Sequence, residues 1–185
     1  MLFRSAEDVL RRYGPAKTTV VDVARVLGVS HGSVYRHFPS KVALRDAVAE
    51  RWLARVSGPL ATVAAETGPA ERRLRRWLDL LIASKRRMAR DDPEMFATYH
   101  RIATDARDVV TAHVGILSAQ LARIIGDGVA QGEFAAVDPA AAGRAVFDAT
   151  ARFHNPVHAP EWSNPGMDAA FDQVWSLILR GLGAR

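Results

Sequence analysis

The sequence predicts an all-α chain of about nine helices, divided into a small N-terminal helical domain and a larger C-terminal one. Three observations carry this. Apolar residues recur at helical spacing along the chain, and no strand-like alternation persists. Glycine and proline sit at the ends of these stripes, as at Gly14-Pro15, Pro39 and Asp138-Pro139. Charge is also partitioned. Residues 1–56 hold 10 Lys+Arg against 5 Asp+Glu, whereas the remainder holds 15 of each. The whole excess of +5 therefore lies in the first third. A localised basic surface attracts polyanions.

The elements follow in order. Ala6, Val9, Leu10 and Tyr13 form a first short stripe, closed by Gly14-Pro15. Thr19 is placed to cap the next helix, with Asp22 three residues on, an approximate capping box. Val20, Val23, Ala24 and Leu27 follow at i, i+3, i+4 and i+7, and Gly28 ends the stripe. Ser30 starts a two-turn helix that stops near Phe38, before Pro39. Ser40 caps another, with Leu44, Val48 and Trp52 inward. The stretch SGPLATVAAETGP (57–69) is either a break or a helix interrupted at Pro59, and it marks the expected boundary between domains 1–56 and 57–185.

Beyond it, Leu74, Trp77, Leu78 and Leu81 form one stripe. A short helix is expected from Pro93 to about Thr104. A long one from Arg107 to Gln131 would span roughly 38 Å at 1.5 Å per residue. Asp138-Pro139 opens a helix running to about His154, with proline in its favoured first turn. NPVHAPEWSNPG reads as a loop. The last helix, Met167 to Leu182, carries an apolar band too broad for one packed face. That predicts burial on two sides, against its own core and against a partner chain.

Composition excludes several classes. There are no cysteines, hence no disulfide, no thiolate chemistry and no Cys-based zinc site. No uninterrupted run of about 18 apolar residues occurs, so no membrane span is expected. The start, MLFRSAEDVL, has charges where a signal peptide needs apolar residues. A cytoplasmic protein fits these features.

The segment GVSHGSVYRHFPSK (28–41) holds the most specific signal. Helix, tight turn and short helix over Val20–Leu27, Gly28-Val29 and Ser30–His37 is helix-turn-helix spacing. The second helix of such a unit must be slim and exposed to enter the major groove. Gly32 lets the backbone approach closely. Ser33 and Tyr35 offer hydroxyls to phosphates, and Arg36 can pair with a phosphate or a guanine edge. Val34 and Phe38 face inward. Ser40 and Lys41 begin the next helix, whose N-terminal amides suit an anion.

TTVVDVARVLGVSHGSVYRHFPSKVALRDAV closely resembles the DNA-binding domain of the TetR (tetracycline-repressor-like) family of bacterial regulators, over roughly residues 5 to 53. The resemblance implies phosphate and groove contacts at Thr19, Ser33, Tyr35, His37 and Lys41, and base reading at His31, Gly32 and Arg36. Ser30 joins these at the start of the helix. Few residues precede the first helix, so a basic arm reaching the minor groove is not expected.

In the second domain no metal or nucleophile constellation emerges. His154 and His158 are four apart, but Pro156 between them denies a common helix face. No metal and no cofactor are expected. Asp91, Asp92 and Glu94 flank Pro93, where acids favour a helix start, so they read as capping residues rather than catalytic carboxylates. The runs ERRLRR (71–76) and KRRMAR (85–90) read as the solvated back of their helix. Leu81, with the aromatic and polar residues Trp77, Phe96, Tyr99, His100, Phe147, Phe153 and His154, is the expected lining of a small-molecule site, which the resemblance places in this domain. Phe147, Phe171, Val174, Trp175 and Ile178 are the expected dimer seam.

The combined expectation is a non-enzymatic, homodimeric, sequence-specific regulator, in most such families a repressor. It would bind palindromic double-stranded DNA and be released by a small-molecule effector. The alternatives are a sequence-neutral DNA-binding protein that organises chromosomes, and a helical enzyme using the second-domain pocket. For the enzyme, no residues take nucleophile, base and oxyanion roles.

Overall fold

A computed structural model describes residues 20–27, 30, 32, 35, 36 and 38–184. The expected first helix (Ala6–Tyr13) and the Thr19 cap lie outside them. The described residues form eight α-helices and one 3-10 helix, with no strand. The helices are α1 (Val20–Leu27), α2 (Lys41–Ala65), α3 (Ala70–Asp91), α4 (Pro93–Asp105), α5 (Arg107–Gln131), α6 (Pro139–Ala149), α7 (Ala151–His154) and α8 (Met167–Gly181), with the 3-10 helix at Pro156–Glu161 between the last two.

The chain divides into two compact units, each built from separated stretches. One comprises residues 1–55 and 91–113, the other 56–90 and 114–185. α4 belongs to the first of these units.

In the first unit, Ala24, Phe38, Leu44, Val48, Trp52, Tyr99 and Ile102 are buried. Trp52 stacks on Tyr99 with ring centres 4.7 Å apart and meets the edge of Phe96 at 6.4 Å. Arg45 reaches Asp105 at 2.9 Å. α4 starts as its sequence dictates. The Asp92 carboxylate accepts from the Met95 amide at 3.1 Å, and Pro93 occupies the first turn, where its missing N–H costs nothing.

In the second unit the core gathers Leu60, Leu74, Trp77, Leu78, Leu81, Leu121, Ile124, Ile125, Phe153 and Phe171. α2 runs through Pro59 without a break and ends only at Ala65. A proline inside a helix costs about 3 kcal/mol. Here Val56, Leu60, Val63 and Ala64 bury one face of the same helix and offset it. The chain turns at Gly68, whose φ of 111° only glycine adopts readily.

α3 has its N-terminal amides satisfied from far along the chain. The Glu133 carboxylate accepts from Ala70 N at 3.0 Å and Glu71 N at 3.1 Å. Arg73, buried on the same helix, donates to Asp127 at 2.7 Å and to the Glu66 carbonyl. Trp77 Nε1 donates to Gln120 Oε1 at 2.9 Å. Arg75 bonds Asp79 and, on α8, Asp172 at 2.8 Å, lying 4.8 Å over the Phe171 ring.

α5 is long and apolar enough by composition to cross a bilayer, with a mean hydropathy of 1.4. Polar residues interrupt its apolar ones, so no unbroken apolar run marks it in the sequence. Its Leu117, Leu121, Ile124 and Ile125 are spent on the core of the second unit.

α6 crosses α5 closely at Gly143. A β-carbon there would lie 2.7 Å from the Ala122 backbone nitrogen and 2.9 Å from the Ser118 carbonyl oxygen. Neither backbone atom can swing aside. Gly143→Ala is thus expected to cost about 1–3 kcal/mol, read as a lower melting temperature. An unchanged melt would mean the helices part without loss.

Asp138 caps α6 as expected, accepting from Ala140 N at 3.0 Å. The helix does not run unbroken to His154. The Thr150 hydroxyl donates back to the Val146 carbonyl at 2.9 Å, and the helix breaks there into α6 and α7. The stretch read as a loop contains the short 3-10 helix, held by Asn155 accepting from Val157 N at 3.2 Å.

Candidate nucleic-acid interface and interior cluster

Ser30, Gly32, Tyr35 and Arg36 are all exposed. The Arg36 amide donates to the Gly32 carbonyl at 3.3 Å, closing one helical turn. Among the described residues, a β-carbon on Gly32 would meet nothing nearer than Ser30 Oγ at 4.0 Å, which leaves room for a close approach to the backbone at this turn. Tyr35 is 46% exposed, unusual for a large aromatic. Two residues beyond Arg36, Phe38 is buried and anchors the segment. Ser40 Oγ then accepts from Ala43 N at 3.0 Å, capping α2, whose first residue is Lys41. A polar, aromatic and cationic surface thus stands on an apolar anchor and a capped helix. Thr19, His31, Ser33 and His37 lie outside the described residues.

The expected ligand-lining residues are distributed over both units. Phe96, Tyr99 and His100 are on α4 in the first unit, where Phe96 and Tyr99 pack on Trp52. Trp77, Leu81, Phe147, Phe153 and His154 belong to the second unit. There Trp77, Leu81 and Phe153 are core residues without exposed surface to speak of.

His154 is a buried imidazole. Its Nε2 lies 3.2 Å from the Phe147 carbonyl and 3.3 Å from Thr150 Oγ1, and its ring rests 4.7 Å from the Phe147 ring. A carbonyl only accepts, so Nε2 carries the hydrogen. Burial above all, with the charge of Lys85 adding to it, pushes the His154 pKa down to about 4; the Phe147 carbonyl and Asp148 act in the opposite sense. His158 instead sits 3.1 Å from Glu161.

Lys85 itself corrects the reading of KRRMAR as a solvated face. It is 6% exposed, and its pKa is lowered by burial to about 8. Arg73 of ERRLRR is likewise buried. The signal was available: Leu74, Leu78, Leu81 and Lys85 step by four, three and four, so Lys85 occupies a position where the stripe calls for an apolar residue.

The expected dimer seam also divides. Phe147, Phe171 and Trp175 are buried in the protomer's own core, because α8 turns these rings inward. Val174 and Ile178 are only partly buried and line an open, mainly apolar groove of about 510 Å³ between α6 and α8. Leu177, 61% exposed, joins them, with Ala145 and Ala149 opposite. Leu177 was missed because the band on α8 is too broad for its outer edge to be read from spacing.

Among families, the model of the tetracyclin repressor-like C-terminal domain matches residues 70–175, and that of the tetR family of bacterial regulatory proteins matches residues 2–48. No curated protein matches the chain. Among solved structures, SmeT, the repressor of the Stenotrophomonas maltophilia multidrug efflux pump SmeDEF, superposes with a TM-score of 0.69 at 20% identity, covering 97% of this chain and 87% of that one. The SmeT–triclosan complex gives 0.70 at 18% identity, over 97% and 88%. The regulator FadR from Bacillus subtilis, in complex with stearoyl-CoA, gives 0.61 at 16% identity over 97% of each chain. At these identities the likeness is one of fold.

Proposed function

The chain belongs to the TetR family of bacterial regulatory proteins, and from that premise we propose that it is a cytoplasmic, sequence-specific repressor. It would bind a palindromic operator as a homodimer and release it when a small molecule occupies the C-terminal domain. Residues 1–56 would serve DNA binding, and 57–185 effector binding and dimerisation. The observation that carries the reading is the exposed turn of Gly32, Tyr35 and Arg36, anchored by buried Phe38 and followed by the Ser40-capped start of α2.

Each residue has a role that follows from its chemistry. Gly32 admits the DNA backbone, and Ser30 and Tyr35 offer hydroxyls to phosphates. Arg36 reads a guanine edge or clamps a phosphate. Lys41 and the first amides of α2 meet another phosphate. Thr19, His31, Ser33 and His37 join this surface by their place in the motif. The apolar groove between α6 and α8 is the natural seam for a second copy, since an isologous contact matches a patch to itself. The ligands in the SmeT and FadR complexes support an effector role for the C-terminal domain.

The decisive experiment is selection of bound duplexes from a random pool at roughly physiological salt, where non-specific binding is weak. An enriched inverted repeat is expected. Absence of enrichment, with binding that vanishes as salt rises, would leave a sequence-neutral DNA-binding protein. On the selected site, Arg36→Ala is expected to cost about 1–3 kcal/mol at one base position if Arg36 reads that base. If it binds phosphate, affinity falls on all sequences and the salt slope flattens by about one unit. Unchanged affinity and slope would remove Arg36 from the interface.

A further inference from the structure

Resting on the DNA-binding reading above, we propose that Asp105, far along the chain from the motif, is a positioning residue for operator binding: through Arg45 it fixes the direction in which the Ser40-capped start of α2 is presented.

Asp105 stands where its own helix does not favour it. It is the last residue of α4, whose final turn holds no basic residue, and the carbonyl end of a helix disfavours a carboxylate. The cation comes from α2 instead. Arg45 Nη1 donates to Asp105 Oδ2 at 2.9 Å. The Arg45 side chain is only 24% exposed, and its Nε is closed to water, so the pair is held more firmly than one that is fully solvated.

The same two helices meet again at the Trp52–Tyr99 stack, where the ring planes lie 8° from parallel. Arg45 to Trp52 is two turns of α2, and Asp105 back to Tyr99 is nearly two turns of α4. The helices therefore run antiparallel, and this register sets Val48 against Ile102 between the two contacts, both without exposed surface. Two contacts about 10 Å apart fix the direction of a helix, whereas one leaves it a pivot. Without Asp105 the pivot is Trp52. Lys41 lies roughly 16 Å from it along the helix, so a tilt of about ten degrees carries the start of α2 by about 3 Å. That is a whole hydrogen-bond length, and contacts to phosphates fail well before it. Buried Phe38 and Leu44 keep this end packed, but apolar contacts are non-directional and tolerate such a tilt. The ion pair supplies the direction.

The test uses the full-length protein with the selected duplex and a scrambled one, and follows affinity, its salt dependence and the melting temperature. The ratio of the two affinities cancels the effect of a changed net charge. Asp105→Asn keeps the shape of the side chain and removes its charge. It is expected to lower the ratio about threefold to tenfold, because the pair is broken in both half-sites. The melting temperature should shift by no more than about 3 °C, and the salt slope should stay, since neither residue touches a phosphate. Arg45→Gln should act alike, and combining the two should add nothing further. Arg45→Asp together with Asp105→Arg should restore most of the ratio, since each charge then sits near the helix end that favours it. An unchanged ratio for Asp105→Asn, or a loss that comes only with a larger fall in melting temperature, would overturn the assignment. So would tighter binding by Asp105→Asn with a flatter salt slope for Arg45→Gln, which would make Arg45 itself a phosphate ligand. No preferred duplex for the unaltered protein would remove the DNA-binding reading and this inference with it.

Discussion

Leu177→Asp is expected to separate the dimer and to lower operator affinity by at least about a hundredfold, the scale of losing one of two linked half-sites. Leu177 is 61% exposed in the protomer, so the change removes little from the fold. Across a two-fold seam it would place two carboxylates in an apolar contact, each desolvated and facing its like. The effect should appear as a monomer in sedimentation, with the melting temperature of the monomer's helices nearly kept. Trp175 is the wrong site for this test. Its ring is in the core, so a charge there would unfold the second unit before it tested any seam. A dimer persisting with Leu177→Asp would move the interface away from the groove between α6 and α8.

Acid is expected to weaken the second unit through His154. Its pKa is about 4 in the fold and 6.5 for an ordinary imidazole. Between these values the unfolded chain takes up a proton that the folded one refuses. The penalty is absent above about pH 6.5, grows as pH falls through that window, and levels off below about 4. Its full size is about 3 kcal/mol, from roughly 1.4 kcal/mol per pKa unit. His154→Gln keeps a donor for the Phe147 carbonyl and cannot titrate. Comparing the two proteins by urea unfolding at pH 7 and pH 4.5 should show a shallower loss for the variant. Equal losses would mean that His154 is protonated in the folded protein or that acid acts elsewhere.

Much of the fold was legible because its signals are local. Asp92-Pro93 and Asp138-Pro139 start helices by capping their own amides, so α4 and α6 begin where the sequence predicts. The bounds of α5 follow from its stripe. Ser40 and Phe38 could be assigned because cap and anchor lie within a few residues of the turn they support. What escaped depends on distant neighbours. Pro59 reads as a break until the burial of Leu60 and Val63 is known. Phe171 and Trp175 face inward and Leu177 outward, and only the position of the core decides between them. Lys85 sits in a run of charges that hides its place on the buried stripe of α3. Phe96 and Tyr99 find Trp52, more than forty residues earlier, a pairing that no periodicity announces.

The Glu133 carboxylate on the first amides of α3 sets an order of assembly during synthesis. α3 leaves the ribosome more than sixty residues before the group that satisfies its N-terminus, and Asp127, the partner of Arg73, also comes late. Until then the first turn of α3 has only water to hold its amides. The second unit draws on residues up to the last helix. It therefore cannot close around α3 until the chain up to that helix has been made.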